Sequence, residues 1–349
     1  DVQTPPRALI DTSALRHNLA RVRELASGSR VMAVIKANAY GHGLETAAAA
    51  LADADGLAVA RVEEALALRA AGSRHRILLL EGVSRAEQLE VAARDGFDVM
   101  IHSLDQLVML EQRPSGATLR TWIKLDTGMN RLGFRIEDFP VALARLVRIG
   151  GVAPDPTIVT HLASADEVED PKTRQQLDSF DAATRGLPGE RSVANSAAIL
   201  AWPASHGDWV RPGLMLYGAS PFPRGSGADV GLRPVMTLQS EVIAVKTVEA
   251  GETVGYGGAW RAARRTSMAV VAVGYGDGYP RSARPGTPLL IDGRRAPLIG
   301  RVSMDMITAD VTGVPGVRVG ASVELWGAML PIEEVARGAE RIPYELTCG

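Results

Sequence analysis

The chain has 349 residues, more than one hydrophobic core usually serves, so two domains or one barrel with a large appendage are expected. Apolar residues make up 46% and charges of both signs are interspersed, while a formal net charge of −2 gives no electrostatic case for nucleic acid or an anionic membrane. Cys348 is the single cysteine, which excludes an intrachain disulfide and argues against a cysteine-ligated metal, and no apolar run reaches the roughly 20 residues that cross a bilayer.

The first residues, Asp1-Val-Gln-Thr-Pro-Pro, contain neither a basic nor an apolar stretch, so cytoplasm is the expected location. Leu15, Leu19, Val22 and Leu25 then give Ala14–Ala26 one apolar helical face, which Asp11, Thr12 or Ser13 can cap. Val31–Lys36 reads as a strand buried on both faces that ends abruptly in a lysine. Short apolar runs and helical patterns continue to alternate. The strands are Gly56–Ala60, Ile77–Leu80, Asp98–His102, Leu119–Asp126, Thr157–Ala163, Arg191–Asn195 and Trp209–Tyr217. The helices between them include Leu44–Ala52, Val62–Ala71, Arg85–Arg94, Leu104–Glu111, Glu137–Ile149 and Pro171–Arg185. Eight such units predict parallel strands with right-handed crossovers, closed as a (β/α)8 barrel of the TIM type.

The pattern changes at Pro221-Phe-Pro-Arg-Gly-Ser-Gly-Ala-Asp229, a linker-like stretch rich in Pro and Gly. Beyond it Pro234–Val248, Ser267–Tyr275, Pro288–Ile291, Met306–Val311 and Val323–Trp326 read as strands without helical spacers, and only Ile332–Gly338 reads as a helix. The predicted organisation is a barrel over residues 8–225 and a predominantly β-strand domain over 226–349, with residues 1–7 as candidates to pack on the latter.

Polar residues gather at one end of the barrel strands: Lys36 on the first, Lys124 and Asp126 on the fifth, His161 on the sixth, Asn195 and Ser196 on the seventh, Arg211 within the eighth. The carboxyl ends of barrel strands are where this architecture places its chemistry. A lysine there, with no dinucleotide glycine fingerprint, no Ser/His/Asp set and no metal cluster, points to Schiff-base chemistry on a carbonyl cofactor. Ser196 ahead of a helical run, and Arg211-Pro-Gly-Leu214 with its cation and accessible backbone N–H groups, are suited to an anion such as a phosphate.

Val34-Ile-Lys36-Ala-Asn-Ala-Tyr40-Gly-His-Gly43 resembles the cofactor-lysine motif of the bacterial alanine racemase family, pyridoxal-5′-phosphate (PLP) enzymes of fold type III. The resemblance continues in order through Lys124-Leu-Asp-Thr-Gly-Met-Asn-Arg131-Leu-Gly-Phe, His161, Asn195-Ser196 and Arg211-Pro-Gly-Leu-Met-Leu-Tyr217-Gly. It then takes in Val254-Gly-Tyr256-Gly, Val273-Gly-Tyr275-Gly-Asp-Gly-Tyr-Pro-Arg281, Gly300-Arg301-Val-Ser-Met304-Asp305 and Ile342-Pro-Tyr344, covering nearly the whole chain.

The resemblance implies interconversion of L- and D-alanine, a supply of D-alanine for peptidoglycan, and a head-to-tail homodimer whose sites are shared. Lys36 would carry PLP and act as the base on one face of the α-carbon; Tyr256, from the other subunit, would serve the opposite face. Both are needed chemically, since one side chain does not readily reach both faces of a planar carbanion. By the same resemblance Tyr40, Asn195, Ser196, Gly213, Leu214 and Tyr344 belong to cofactor binding. Arg211 would face the pyridine nitrogen with His161 beside it, Arg131 and Met304 would hold the substrate carboxylate, and Asp166, Tyr275, Arg281, Arg301 and Asp305 would form the channel and gate. Lys124 matches a position that is often carbamylated, and no metal is expected. Asn38 and Ser303 stand where the family frequently has aspartate and cysteine.

Three competing functions share part of this pattern. A fold type III decarboxylase would carry a glutamate toward the ring nitrogen and a cysteine motif in the second domain, which Arg211 and the isolated Cys348 argue against. A non-catalytic PLP-binding barrel would lack the second domain with its Tyr256. A broad-specificity racemase is the nearest rival, because one methylene changes discrimination by only about 1–3 kcal/mol. His42 is expected to serve the Gly-His-Gly turn, and Tyr217 and Tyr279 to pack.

Overall fold

A computed structural model describes residues 6–114 and 116–349. Eight parallel strands close a barrel: β2 (Arg30–Val34), β3 (Gly56–Val59), β4 (Ile77–Leu79), β5 (Phe97–Ile101), β6 (Thr121–Lys124), β7 (Thr157–Val159), β8 (Arg191–Ser192) and β9 (Trp209–Val210). Every residue of β3, β4, β5, β6 and β7 is buried, because helices cover the outside and side chains fill the inside. The barrel is therefore a packed core and not a channel. Its amino-terminal end is closed by a polar plug. The buried Asp98 carboxylate accepts from Arg76 Nε at 2.5 Å, Arg120 Nε at 2.8 Å and Trp122 Nε1 at 2.8 Å. The Arg76 guanidinium also lies over the Trp209 ring, 5.1 Å from its centroid.

The second sheet is antiparallel. Its strands are β10 (Met236–Val248), β13 (Thr266–Val271), β14 (Pro288–Ile291), β15 (Arg294–Ile299), β16 (Ile307–Asp310) and β17 (Ser322–Trp326). Pairing runs β10–β13–β16–β15–β14–β17 and returns to β10, while β11 (Thr253–Val254) and β12 (Trp260–Arg261) form a separate ribbon. The β14–β15 hairpin turns at Asp292-Gly293, both at positive φ (+45° and +75°), as a two-residue turn of the favoured hand requires. β15 is not among the strands that the pattern predicts, because its Arg294-Arg-Ala-Pro297 start has little apolar alternation. β1 (Arg7–Ile10) adds to this sheet antiparallel to β10. Of the N-terminal stretch 1–7, residues 1–5 lie outside the described residues.

The structure departs from the predicted elements where the site begins. β2 stops at Val34, and Lys36 opens a tight turn over Lys36–Tyr40 that is left-handed: φ is +53°, +54°, +55° and +53° at Ala37, Asn38, Ala39 and Tyr40. The predicted eighth strand keeps only Trp209–Val210. Pro212 has no N–H to donate, and the chain bends at Gly213 into a short 3-10 turn over Leu214–Tyr217. A final helix, Pro343–Cys348, packs on the left-handed turn. The helix Ile332–Gly338 is tied to the segment that follows the barrel by buried Glu333, which accepts from the N–H groups of Ser220 (2.7 Å) and Gly227 (2.8 Å).

Candidate active site

The carboxyl end of the barrel opens into a cavity of about 1600 Å³, larger than the ~300–1,000 Å³ usual for a small ligand. It is lined by Lys36, Tyr40, Lys124, Arg131, His161, Asp166, Asn195, Ser196, Arg211, Gly213, Leu214 and Tyr344, all singled out from the sequence.

Arg211 is buried below this cavity. Its guanidinium donates to Ser192 Oγ (2.7 Å), to the carbonyls of Thr160 (2.8 Å) and Val193 (3.4 Å), and to His161 Nδ1 (3.3 Å). Since arginine only donates, His161 Nδ1 is an acceptor and the imidazole is neutral. Burial, then the charges of Arg211 and Lys124, hold His161 well below the usual histidine range; burial draws Arg211 itself down to about 10. The arginine remains a cation near neutrality.

A second corner is built from hydroxyls and backbone. Asn195 caps the helix Ser196–Ala201 by accepting from Ala198 N, and Ser196 Oγ accepts from the N–H groups of Gly213 (2.9 Å) and Met215 (3.2 Å). A Cβ on Gly213 would lie 2.4 Å from the Tyr40 hydroxyl, so only glycine lets that phenol reach this corner. The Tyr40 ring stacks on Tyr217 at 4.7 Å and sits 5.7 Å from Tyr344. Burial pushes the Tyr344 phenol up to about 12 and Tyr40 higher, so both stay protonated donors.

Lys124, also buried, ends β6. Burial first, then Arg211 and Arg131, draws its amine down to about 8 against the opposing pull of Asp126. Asp126 turns the following loop by accepting from the N–H groups of Gly128 and Asn130, which brings Arg131 to the cavity.

The other sequence candidates lie elsewhere. Tyr256, Tyr275, Arg281, Arg301, Met304 and Asp305 are exposed and do not line the cavity. They neighbour one another instead. Tyr275 N–H donates to the Ser303 carbonyl and Gly276 N–H to that of Met304, and Arg281 lies over the Tyr275 ring at 5.9 Å. The Tyr256 loop meets Arg301, whose backbone N would be 3.4 Å from a Cβ on Gly255. Tyr256 is 72% and Met304 61% exposed, unusual for such large side chains.

Sequence reasoning missed the residues that hold this arrangement. Buried Gln176 donates to the His161 carbonyl (3.0 Å) and to Thr127 Oγ1 (3.1 Å) and accepts from Ala163 N (2.8 Å); Thr127 in turn hydrogen-bonds Thr160 at 2.8 Å. The available signal was on the helix Lys172–Thr184, where Thr173 and Gln176 share the inward face with Leu177, Phe180 and Thr184. A polar residue on an inward face needs a partner.

Family profiles account for both halves of the chain: alanine racemase, N-terminal domain, over residues 10–221, and alanine racemase, C-terminal domain, over residues 235–349. The chain belongs to the alanine racemase family. An alanine racemase of Nitrosococcus oceani is 53% identical over 98% of this chain and 96% of its own length, and one of Aeromonas hydrophila is 51% identical over 97% and 95%. Among solved structures, the biosynthetic alanine racemase of Pseudomonas aeruginosa superposes with a TM-score of 0.96 at 45% identity, covering 99% of this chain and 97% of that one. That of Bartonella henselae, solved with covalently bound pyridoxal phosphate, gives 0.89 at 28% identity over 99% and 97%. Alanine racemases thus share the barrel and the strand-rich second half described above. No described helix is long and apolar enough to cross a membrane.

Proposed function

We propose that this member of the alanine racemase family interconverts L- and D-alanine with PLP held on Lys36, in a homodimer whose two sites each use residues of both subunits. The observation that carries the reading is the polar set of this cavity: a lysine at its mouth, an arginine–histidine pair buried beneath it, and a corner of Ser196, Tyr40, Tyr344 and Gly213.

The residues present fit the cofactor. The Ser196 hydroxyl, the phenols of Tyr40 and Tyr344 and the backbone of Gly213 and Leu214 would take the phosphate, with Asn195 fixing the start of the Ser196 helix. Arg211 would face the ring nitrogen, and His161 accepts from the same guanidinium. PLP supplies the electron sink that makes the α-proton of an amino acid removable. A permanent cation at Arg211 disfavours a proton on the ring nitrogen, which tempers that sink and limits side reactions. Lys36 Nζ takes or returns the α-proton on one face, and Tyr256 Oη on the other. In one chain Tyr256 is exposed and absent from the cavity lining, which supports its action in the partner's site. Met304 and the gate residues Tyr275, Arg281, Arg301 and Asp305 share that exposed region. Arg131 and the Met304 N–H would hold the substrate carboxylate, Asp166 would line the approach, and the neutral fraction of the Lys124 amine would add carbon dioxide and release a proton to solvent, giving a carbamate anion beside Arg131. A cytoplasmic supply of D-alanine for peptidoglycan follows as the proposed role.

Subunit mixing tests the reading. Lys36→Ala and Tyr256→Phe should each lose nearly all racemase activity alone. After dissociation and reassembly together they should recover about a quarter of the wild-type rate, because half the dimers are mixed and each holds one intact site. No recovery, with mixed dimers shown to form, would overturn the shared site. Borohydride reduction that failed to fix cofactor on Lys36 would overturn the assignment of the lysine.

A further inference from the structure

We propose that His42 and Glu64 are positioning residues for Lys36, clamping the left-handed turn Lys36–Tyr40 from its two ends and so fixing where the lysine side chain emerges. The inference rests on Lys36 being the cofactor lysine, but the clamp itself is visible in backbone contacts.

At the leading end, Glu64 Oε1 accepts from the N–H of Ala37, the residue after Lys36, at 2.8 Å. Its other oxygen accepts from Ala60 N (2.9 Å) and Arg61 N (3.1 Å) at the end of β3. A glutamate three residues into a helix commonly bonds back to the capping position, which accounts for the Arg61 contact. It does not account for a bond to a residue 27 positions upstream. One carboxylate therefore registers the start of the turn against β3, whose Ala58 carbonyl already receives the N–H of Ile35.

At the trailing end, His42 is buried, and its Nδ1 lies 3.0 Å from the Ala39 carbonyl and 2.9 Å from that of Tyr40. Carbonyls only accept, so Nδ1 carries the proton and shares it between two residues held at positive φ. The ring stacks on Tyr217 at 4.5 Å, and the Tyr217 hydroxyl donates to the Val34 carbonyl at 2.9 Å, on the other side of Lys36. The Nε2 atom is buried without a partner among the described residues. An aromatic needed only for packing would avoid that orphaned acceptor; the donor on Nδ1 is what histidine adds over phenylalanine here. Burial draws the imidazole down to about 4, so this donor arrangement is uncharged near neutrality.

The test uses full-length protein, with PLP and stripped of it, carrying His42→Phe, His42→Asn, Glu64→Ala or Glu64→Gln. Phenylalanine keeps the stack and loses the donor, whereas asparagine restores an N–H near the Nδ1 position. Glu64 is half-exposed on a helix, so its variants keep the test available if His42→Phe does not fold. His42→Phe and Glu64→Ala should raise amide exchange in a peptide spanning 36–44 by about tenfold or more in the stripped protein. They should also speed PLP release and lower kcat more than they change KM, with Asn and Gln recovering most of each loss. Unchanged exchange in both, a lower melting temperature alone, or Asn and Gln variants no better than Phe and Ala would overturn the proposal. Exchange in the stripped protein does not depend on the chemistry of Lys36. Failure of the clamp is thereby distinguishable from failure of the cofactor assignment, which borohydride reduction of the wild type reads separately.

Discussion

Replacing Gly41 with alanine should unseat the C-terminal helix from the turn that carries Lys36. Gly41 has φ +79°, and an added Cβ would lie 1.7 Å from the Thr347 carbonyl oxygen and 2.8 Å from its carbon. Real Cβ contacts do not fall below 3.0 Å, so the helix or the turn must give by about 1.3 Å. Neither atom is the end of a flexible side chain; both belong to the backbone. The positive φ alone costs alanine about 1–2 kcal/mol. Undocking the helix would further expose Leu346, which is 4% accessible, and separate Tyr344 from Tyr40, for about another 2–3 kcal/mol. Gly72 isolates the two effects, because it has φ +87° with nothing within 4 Å, so its alanine variant carries strain without a collision. Thermal unfolding should place Gly41→Ala below Gly72→Ala by about 4–6 °C, taking roughly 2 °C per kcal/mol for a chain of this size. PLP dialysed from the two variants should leave Gly41→Ala faster. Equal melting temperatures with equal PLP retention would refute the reasoning that the helix bears on the turn.

Two further outcomes follow from the buried charges. Lys124 titrates near 8 in the folded chain against 10.5 in the open one, so below about 8 both states hold the proton and the burial penalty is full. Between those values the unfolded chain alone stays protonated, and stability should rise with pH by up to roughly 3 kcal/mol. In carbon-dioxide-free buffer the melting temperature of the wild type should gain on Lys124→Met across that window; parallel profiles would rule the buried amine out. Arg211→Glu should raise transamination relative to racemisation by about tenfold or more while slowing racemisation, because a carboxylate favours a protonated ring nitrogen. Product analysis by chiral chromatography reads the ratio, and unchanged partitioning would remove the proposed role of the arginine.

Much of the fold was legible in the order of residues. Alternation of short apolar runs with amphipathic helices implied parallel strands and a barrel, because strands buried on both faces read as unbroken apolar runs and return through helices. The loss of helical spacers after residue 221 marked the change to an antiparallel sheet. Lys36, Lys124, His161, Ser196 and Arg211 could be placed at one end of the barrel for the same reason, since strand direction is fixed once the strands are parallel. The ordered motifs from Lys36 to Tyr344 supplied the family.

Only the tertiary structure decided how those side chains are held. Asn38 apart, nothing in Ala37-Asn-Ala-Tyr40 announces a left-handed turn, which local preference opposes by about 1–2 kcal/mol at each of Ala37, Ala39 and Tyr40; contacts from Glu64, His42 and the C-terminal helix, distant in sequence or facing inward, sustain it. Helical spacing could flag Gln176 as inward-facing, but the partners of Gln176 and Ser192 were not legible, because residues in different barrel units have no fixed spacing. The absence of Tyr256 from its own chain's cavity was likewise implied by the family resemblance alone, never by period or spacing. The sequence by itself determined which chemical groups this protein has and the architecture that presents them, through period and pattern. The folded chain decided which groups meet, because a conformation that local preference disfavours persists only where long-range contacts outweigh its cost.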